Sequence, residues 1–257
     1  MLTKETVIDR AREYGASLVG FGDIARWQDT VPERNPKSIL PKAKTVIGFG
    51  FGIPAGLYAA MKQGRHKLNY TNFGVRYVDE TLTGIMLLKM AHSIEDAGYD
   101  ACIQRRISNL RIKGDEVINP EVASSYELIH TVPVAEGKPA PEIIMDFEES
   151  AVFCGLGTRS RRGGVLTPAF GPFVRFVFIV TDAPFEADPV LTESLCDGCG
   201  LCEKACPAGA IGKTFDHVRC YDGYSAKDSQ PVDGYRVCDC RRACDIACYE
   251  HLKGVTL

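Results

Sequence analysis

The chain has 257 residues, 45% of them hydrophobic and 25% charged, and a formal net charge of −3 at pH 7. That length holds one sizeable core plus a small module. The charge balance suggests neither a polyanion nor an anionic membrane surface as partner, and no apolar run reaches the roughly 18–20 residues that span a bilayer.

In chain order, Thr3 is placed to cap a helix that runs to Tyr14, with Gly15 closing it. Residues 18–21 (Leu-Val-Gly-Phe) read as a strand, and residues 45–49 (Thr-Val-Ile-Gly-Phe) as a buried one. The Gly-rich run 48–56 follows; Pro54 interrupts it, which favours a close backbone crossing over a dinucleotide cradle. Between Asp79 and Ala97, apolar Leu82, Ile85, Met86, Met90 and Ile94 recur near helical spacing, and Gly98 ends the run. Cys102 and Ile103 continue as a strand, and residues 175–181 (Arg-Phe-Val-Phe-Ile-Val-Thr) are strongly β-prone. This alternation predicts an α/β (α+β) layered domain over residues 1–185. An acidic, Pro-containing linker at 181–189 leads to a second module, residues 190–257, expected to be too poor in apolar side chains to hold together without metal.

The cysteines carry the chemistry. Eleven are present, and only Cys102 and Cys154 precede the linker. Cys196, Cys199, Cys202 and Cys206, with Pro207, form C-x2-C-x2-C-x3-C-P, the bacterial ferredoxin spacing for an iron–sulfur cubane. In that pattern the fourth cysteine reaches a second cluster, so further thiols must follow. Cys220, Cys238, Cys240, Cys244 and Cys248 do. The expected ligands are Cys196, Cys199, Cys202 and Cys248 for one [4Fe–4S] cluster, and Cys206, Cys220, Cys240 and Cys244 for the other. Cys238 is left over and is interchangeable with Cys240 at this stage. Zinc would leave several thiols idle. Disulfides imply a secreted chain, and the polar N-terminus shows no export signal, so a reducing cytoplasm is expected.

Two other constellations stand out. The loop 155–164 joins Gly155, Gly157 and Gly163, which let a ligand approach the backbone, to Thr158, Arg159 and Arg161, which suit an anion. Asp146, with Glu148 and Glu149, precedes it and could deliver protons; Tyr77 is a second proton-donor candidate.

In order along the chain, several segments resemble the epoxyqueuosine reductase family and its relatives, the reductive dehalogenases and cobalamin-processing proteins. These are residues 16–22 (Ala-Ser-Leu-Val-Gly-Phe-Gly), residues 40–47 (Leu-Pro-Lys-Ala-Lys-Thr-Val-Ile), the Gly155-Leu156-Gly157 loop with Gly163-Gly164, residues 166–171 (Leu-Thr-Pro-Ala-Phe-Gly), the Cys196–Pro207 motif, Arg219-Cys220-Tyr221 and the late cysteines. The resemblance implies a nitroreductase-like, B12-processing-type N-terminal domain before a two-cluster ferredoxin-like module. It implies that the clusters feed a corrinoid (cobalamin), with flavin as the alternative, and that the 155–164 loop and Tyr77 lie against it. Tyr249 stands where the family has proline after its last cysteine. The family's tRNA-modifying members carry a C-terminal helical-repeat extension, whereas this sequence ends at Leu257; with the low net charge, tRNA is not the expected substrate.

Two functions follow. One is an iron–sulfur oxidoreductase acting on a small-molecule or protein target and fed by an electron-donor protein. The other is a non-catalytic accessory that docks to a partner redox enzyme and reduces or activates it.

Overall fold

The computed structural model describes residues 2–105, 143, 145–224 and 237–257. In chain order the main elements are α1 (Lys4–Glu13), β1 (Leu18–Asp23), β2 (Thr45–Gly52), α2 (Ala55–Lys62), a π-helix (Tyr70–Leu82), α3 (Thr83–Glu95), β3 (Ala101–Gln104), α4 (Phe147–Phe153), β4 (Thr158–Arg159), β5 (Val165–Leu166), β6 (Val174–Thr181), α5 (Leu201–Ala205), α6 (His217–Tyr224) and α7 (Ala243–Lys253). They fall into two compact units. The first comprises Met1–Gly50, Thr83–Leu156 and Phe176–Val190, the second Phe51–Leu82, Gly157–Arg175 and Leu191–Leu257.

The first unit is built on a sheet of order β1-β2-β6-β3. β1 and β2 are antiparallel, with Leu18 opposite Gly50 and Asp23 opposite Thr45; β3 and β6 are antiparallel, with Ala101 opposite Thr181. Val46, Ile47 and Phe49 on β2, and Val177 to Val180 on β6, are all buried, as expected of strands covered on both faces. α1 begins as its sequence predicts: the Thr3 hydroxyl accepts from the Thr6 amide and the two residues form a reciprocal cap. Val7 and Ala11 on α1, and Met86, Leu87, Met90 and Ile94 on α3, are buried, and the two helices pack together. α4 lies on β1 because glycine permits it: a Cβ on Gly20 would stand 2.2 Å from the Cys154 carbonyl oxygen. The acidic linker is not a free tether. Asp188 accepts from the Phe21 amide at 2.9 Å and from Lys4 at 2.5 Å, anchoring the chain to this unit up to the change of unit at residue 190.

The second unit differs from the expected tail module. It recruits residues 51–82 and 157–175, and with them gains an apolar core of Ile53, Tyr58, Met61, Tyr70, Phe173 and Ile246. Tyr58 stacks on Phe173 at 3.5 Å between ring centres, Phe173 stacks on Tyr249 at 4.2 Å, and Tyr70 meets Tyr58 edge-on at 5.1 Å. Aromatic pairs of this kind add stability beyond the area that they bury. The helix expected from Asp79 starts earlier, and its first part is π-helical from Tyr70 to Leu82. At Gly74 a Cβ would lie 2.6 Å from the Tyr70 ring. Arg175 grips Asp79 with both Nε, at 2.6 Å, and Nη2. Sustained π geometry is rare and is enriched at functional sites; here it presents Phe73, Tyr77 and Leu82 to solvent.

Candidate metal centre

The loop carrying the first three cysteines is shaped by glycine and short polar side chains. Gly198 (φ 78°) and Gly200 (φ 73°) take the left-handed turns between cysteines that other residues resist. The Asp197 carboxylate accepts from the Cys199 amide at 3.0 Å, the Ser194 hydroxyl from the Cys196 amide at 3.1 Å, and the Thr158 hydroxyl from the Leu195 amide at 2.9 Å. These bonds hold a backbone that no sheet or long helix supports. α5 then starts and buries Cys202. α7 packs on α5 and brings Cys248 to the same place. Cys196, Cys199, Cys202 and Cys248 all line one cavity, beside Arg162 and His251.

The remaining thiols gather separately. The Cys206 sulfur accepts from the Ala210 amide at 3.4 Å. Cys220 on α6 interacts electrostatically with Cys206 and Cys240, and Cys244 at the start of α7 with Cys240. The sulfurs of Cys238 and Cys240 lie 3.7 Å apart. Cys238 is fully buried.

Burial pushes several of these thiols above their ordinary range. Cys202, Cys220 and Cys244 are raised by desolvation first, and Cys248 is pushed up to about 12 by burial, with Cys202 and Cys196 adding to it. The hydrogen bond between Cys238 and Cys240 lowers Cys240 and raises Cys238. The protein alone therefore does not favour four thiolates at either place. Thiolates at these places call for the compensating charge of a bound metal, and a set of sulfur donors selects iron–sulfur clusters or zinc over hard cations. The four-thiol cavity fits a [4Fe–4S] cluster by its donor set.

The other expected site residues are distributed as follows. Asp146 is the N-cap of α4, its carboxylate accepting from the Glu149 amide at 2.8 Å with Arg34 at 3.7 Å. Gly155 belongs to the first unit, and its open side faces the Pro189 carbonyl. In the second unit, a Cβ on Gly157 would meet the Leu166 carbonyl at 2.2 Å, and one on Gly163 the Phe215 ring at 2.5 Å, so protein atoms fill the space that these glycines leave. The Thr158 hydroxyl serves the Leu195 amide. Arg161 reaches the Gly212 carbonyl and Glu203, each at 3.5 Å. Arg159 is exposed on β4. Tyr77 is 42% exposed and lies 5.3 Å from Phe73 between ring centres. Cys154 is buried, donates to the Val46 carbonyl at 3.4 Å and is raised by desolvation, an inert thiol.

Sequence reasoning missed a buried charge cluster. Asp245, wholly inaccessible, receives Arg162 at 2.5 Å on one oxygen and the Arg242 Nε at 2.5 Å on the other. Its only sequence signal is an Asp and two adjacent arginines set among closely spaced cysteines. Sequence also gave no sign that His251 meets Asp197 at 2.6 Å beside the first cysteine loop.

Comparison with known proteins agrees with these features. The 4Fe-4S binding domain family matches residues 189–212. Epoxyqueuosine reductase of Bacillus subtilis is 23% identical over 233 residues, covering 81% of this chain and 51% of that protein. Tetrachloroethene reductive dehalogenase of Sulfurospirillum multivorans is 39% identical over 64 residues, 24% of this chain and 13% of that protein. The chain thus spans about half the length of the curated relative that it matches most extensively here. Among solved structures, epoxyqueuosine reductase from Streptococcus thermophilus superposes with a TM-score of 0.58 at 16% identity, covering 100% of this chain and 68% of that one. A reductive dehalogenase described with a mechanism for B12-dependent dehalogenation gives 0.54 at 18% identity, covering 93% and 31%. The chain is therefore similar to epoxyqueuosine reductases in sequence and fold and to reductive dehalogenases in fold, and it carries a 4Fe-4S binding motif.

Proposed function

We propose that this protein is an iron–sulfur reductase of the epoxyqueuosine reductase-like type, whose second unit holds two [4Fe–4S] clusters and delivers single electrons to an acceptor. Cys196, Cys199, Cys202 and Cys248 hold one cluster; Cys206, Cys220, Cys244 and Cys240 hold the other. When bound, the clusters supply one-electron transfer at low potential. The observation that carries the reading is α7. It presents Cys244 to one set of thiols and Cys248, one helical turn on, to the other. Residues at i and i+4 share a helix face, so the two sets are neighbours along one rigid element.

The acceptor on this reading is a flat macrocycle of the corrinoid class. It is supported by the likeness to the dehalogenase and by the exposed Phe73–Tyr77 pair on the π-helix, an apolar aromatic surface suited to a planar ligand. The glycines of the 155–164 loop are not part of this argument, because protein atoms occupy their close approaches. Electrons come from a donor protein, and the target is a small molecule or a protein. The test is anaerobic reconstitution with iron and sulfide, followed by cobalamin addition. About eight irons per chain, a reducible cluster signal and a shift of the corrinoid bands to the base-off form are expected. Far fewer irons would overturn the reading; unchanged corrinoid bands would remove the corrinoid alone.

A further inference from the structure

The charge cluster around Asp245 has features that a purely structural ion pair does not need. Arg162 is 8% exposed on its side chain and donates to Asp245 and, at 3.3 Å, to the Val165 carbonyl. Its Nε is buried with no hydrogen-bond partner. Leaving a charged donor unmatched is costly, and this one belongs to a residue that lines the cavity of Cys196, Cys199, Cys202 and Cys248. Arg242 is held by backbone strain. Arg241 and Arg242 both take left-handed φ, 54° and 51°, just before α7 begins. Non-glycine residues pay for that conformation, and here it directs the Arg242 guanidinium onto Asp245.

The two cations face different thiols. Arg162 lines the cavity of Cys196, Cys199, Cys202 and Cys248, whereas Arg242 caps α7 two residues after Cys240 and two before Cys244, whose sulfur lies 3.9 Å from the Asp245 carboxylate that Arg242 holds. Two guanidinium groups against one carboxylate leave the cluster with a net positive charge, and in a low-dielectric interior such a charge acts strongly on its surroundings.

We propose that Arg162, Asp245 and Arg242 form a potential-setting bridge between the two metal sites, in which Arg162 tunes the cluster of Cys196, Cys199, Cys202 and Cys248 and Arg242 tunes the other. This rests on the two-cluster reading above. Each cluster gains one negative charge when it takes one electron from a reductant. A fixed cation nearby stabilises the reduced form and raises its potential, as does a hydrogen bond to its sulfurs. The unmatched Arg162 Nε is available for such a bond. Asp245 holds both cations in place and moderates them. All three are positioning residues and carry no electron themselves.

The test is a dithionite titration of the reconstituted full-length protein, followed by electron paramagnetic resonance, on wild type, Arg162→Gln and Arg242→Gln, with iron counted in each. Wild type must show two reducible waves; if it does not, the two-cluster reading has failed, not this inference. Given two waves, each glutamine variant should keep its iron and move one wave to lower potential, a different wave in each. Asp245→Asn should move both to higher potential. Iron-loaded glutamine variants with unmoved waves, or with the same wave moved, would overturn the proposal. If a glutamine variant does not take up iron, Arg→Lys at that position decides. Lysine keeps the charge, so waves close to those of wild type support the charge role, and a wave displaced to lower potential overturns it.

Discussion

Cys248→Ala is the substitution whose consequence the structure makes most definite. Cys248 lies 46 positions after Cys202, yet both line one cavity. A metal that binds both closes that span. The second cluster, which binds Cys206 and Cys244, already closes most of that span, so the link through Cys248 adds a loop of about eight residues, worth about 2.5 kcal/mol in the chain-entropy treatment of cross-links, a sizeable part of the roughly 5–15 kcal/mol that holds a typical protein folded. Without metal the substitution is mild, since it exchanges a part-buried thiol for a methyl group, and apo wild type and apo variant should agree within about 1 kcal/mol. The difference should appear only on loading: the variant keeps about four irons instead of about eight, and its second unit loses about 2.5 kcal/mol relative to loaded wild type. The assay is anaerobic urea unfolding followed by far-UV circular dichroism, with iron counted on the same samples. A variant that retains about eight irons, or that loses half of them with no change in stability, refutes the reasoning.

The 3.7 Å between the Cys238 and Cys240 sulfurs is too short for ligands of two different corners of a cube, so one iron can use only one of them. Cys240→Ala should cost about four irons and Cys238→Ala none, as measured by chelator assay on reconstituted protein; the reverse result would exchange their roles. Because burial raises Cys248 from its ordinary value of 9.0 to about 12, the folded apo protein holds that proton more tightly than the unfolded chain does. Its contribution to stability is therefore present below pH 9 and is lost as the pH rises towards about 12, a fall that urea midpoints of apo protein should show and that loaded protein, with the proton already displaced, should not. Tyr58→Ala removes a buried ring that stacks on Phe173 and meets Tyr70 edge-on, and should cost about 3–5 kcal/mol, read as a lowered urea midpoint of the apo protein. Asp146→Ala removes the cap of α4 and should cost about 1 kcal/mol by the same measurement.

What was legible in the sequence was whatever depends on neighbours in sequence. Thr3 and Gly15 bracket α1 because capping is a local hydrogen-bonding problem. The strands at 45–52 and 174–181 were plain because both faces are apolar. The ferredoxin spacing was plain because three ligands come from one loop. Distance along the chain hid the rest. Leu82 and Ile85 match the helical period yet are 39% and 52% exposed, whereas Leu87, which the period left out, is buried: the packing of α1 on α3 decides which stripe faces inward, and periodicity alone does not. In the π-helical segment 70–82 the Tyr70 ring closes over Gly74, and Asp79 pairs with Arg175, nearly a hundred positions away, contacts that local sequence does not announce. Counted alone, the tail reads as too poor in apolar residues to fold without metal. Tyr249 becomes a core residue only when Phe173 and Tyr58 arrive from earlier in the chain. The same recruitment explains why the loop 155–164 looked like a ligand cradle. Its glycines are small because Leu166 and Phe215 press on them, and Arg162 is directed inward because Asp245, 83 positions later, is waiting there without any other access to solvent.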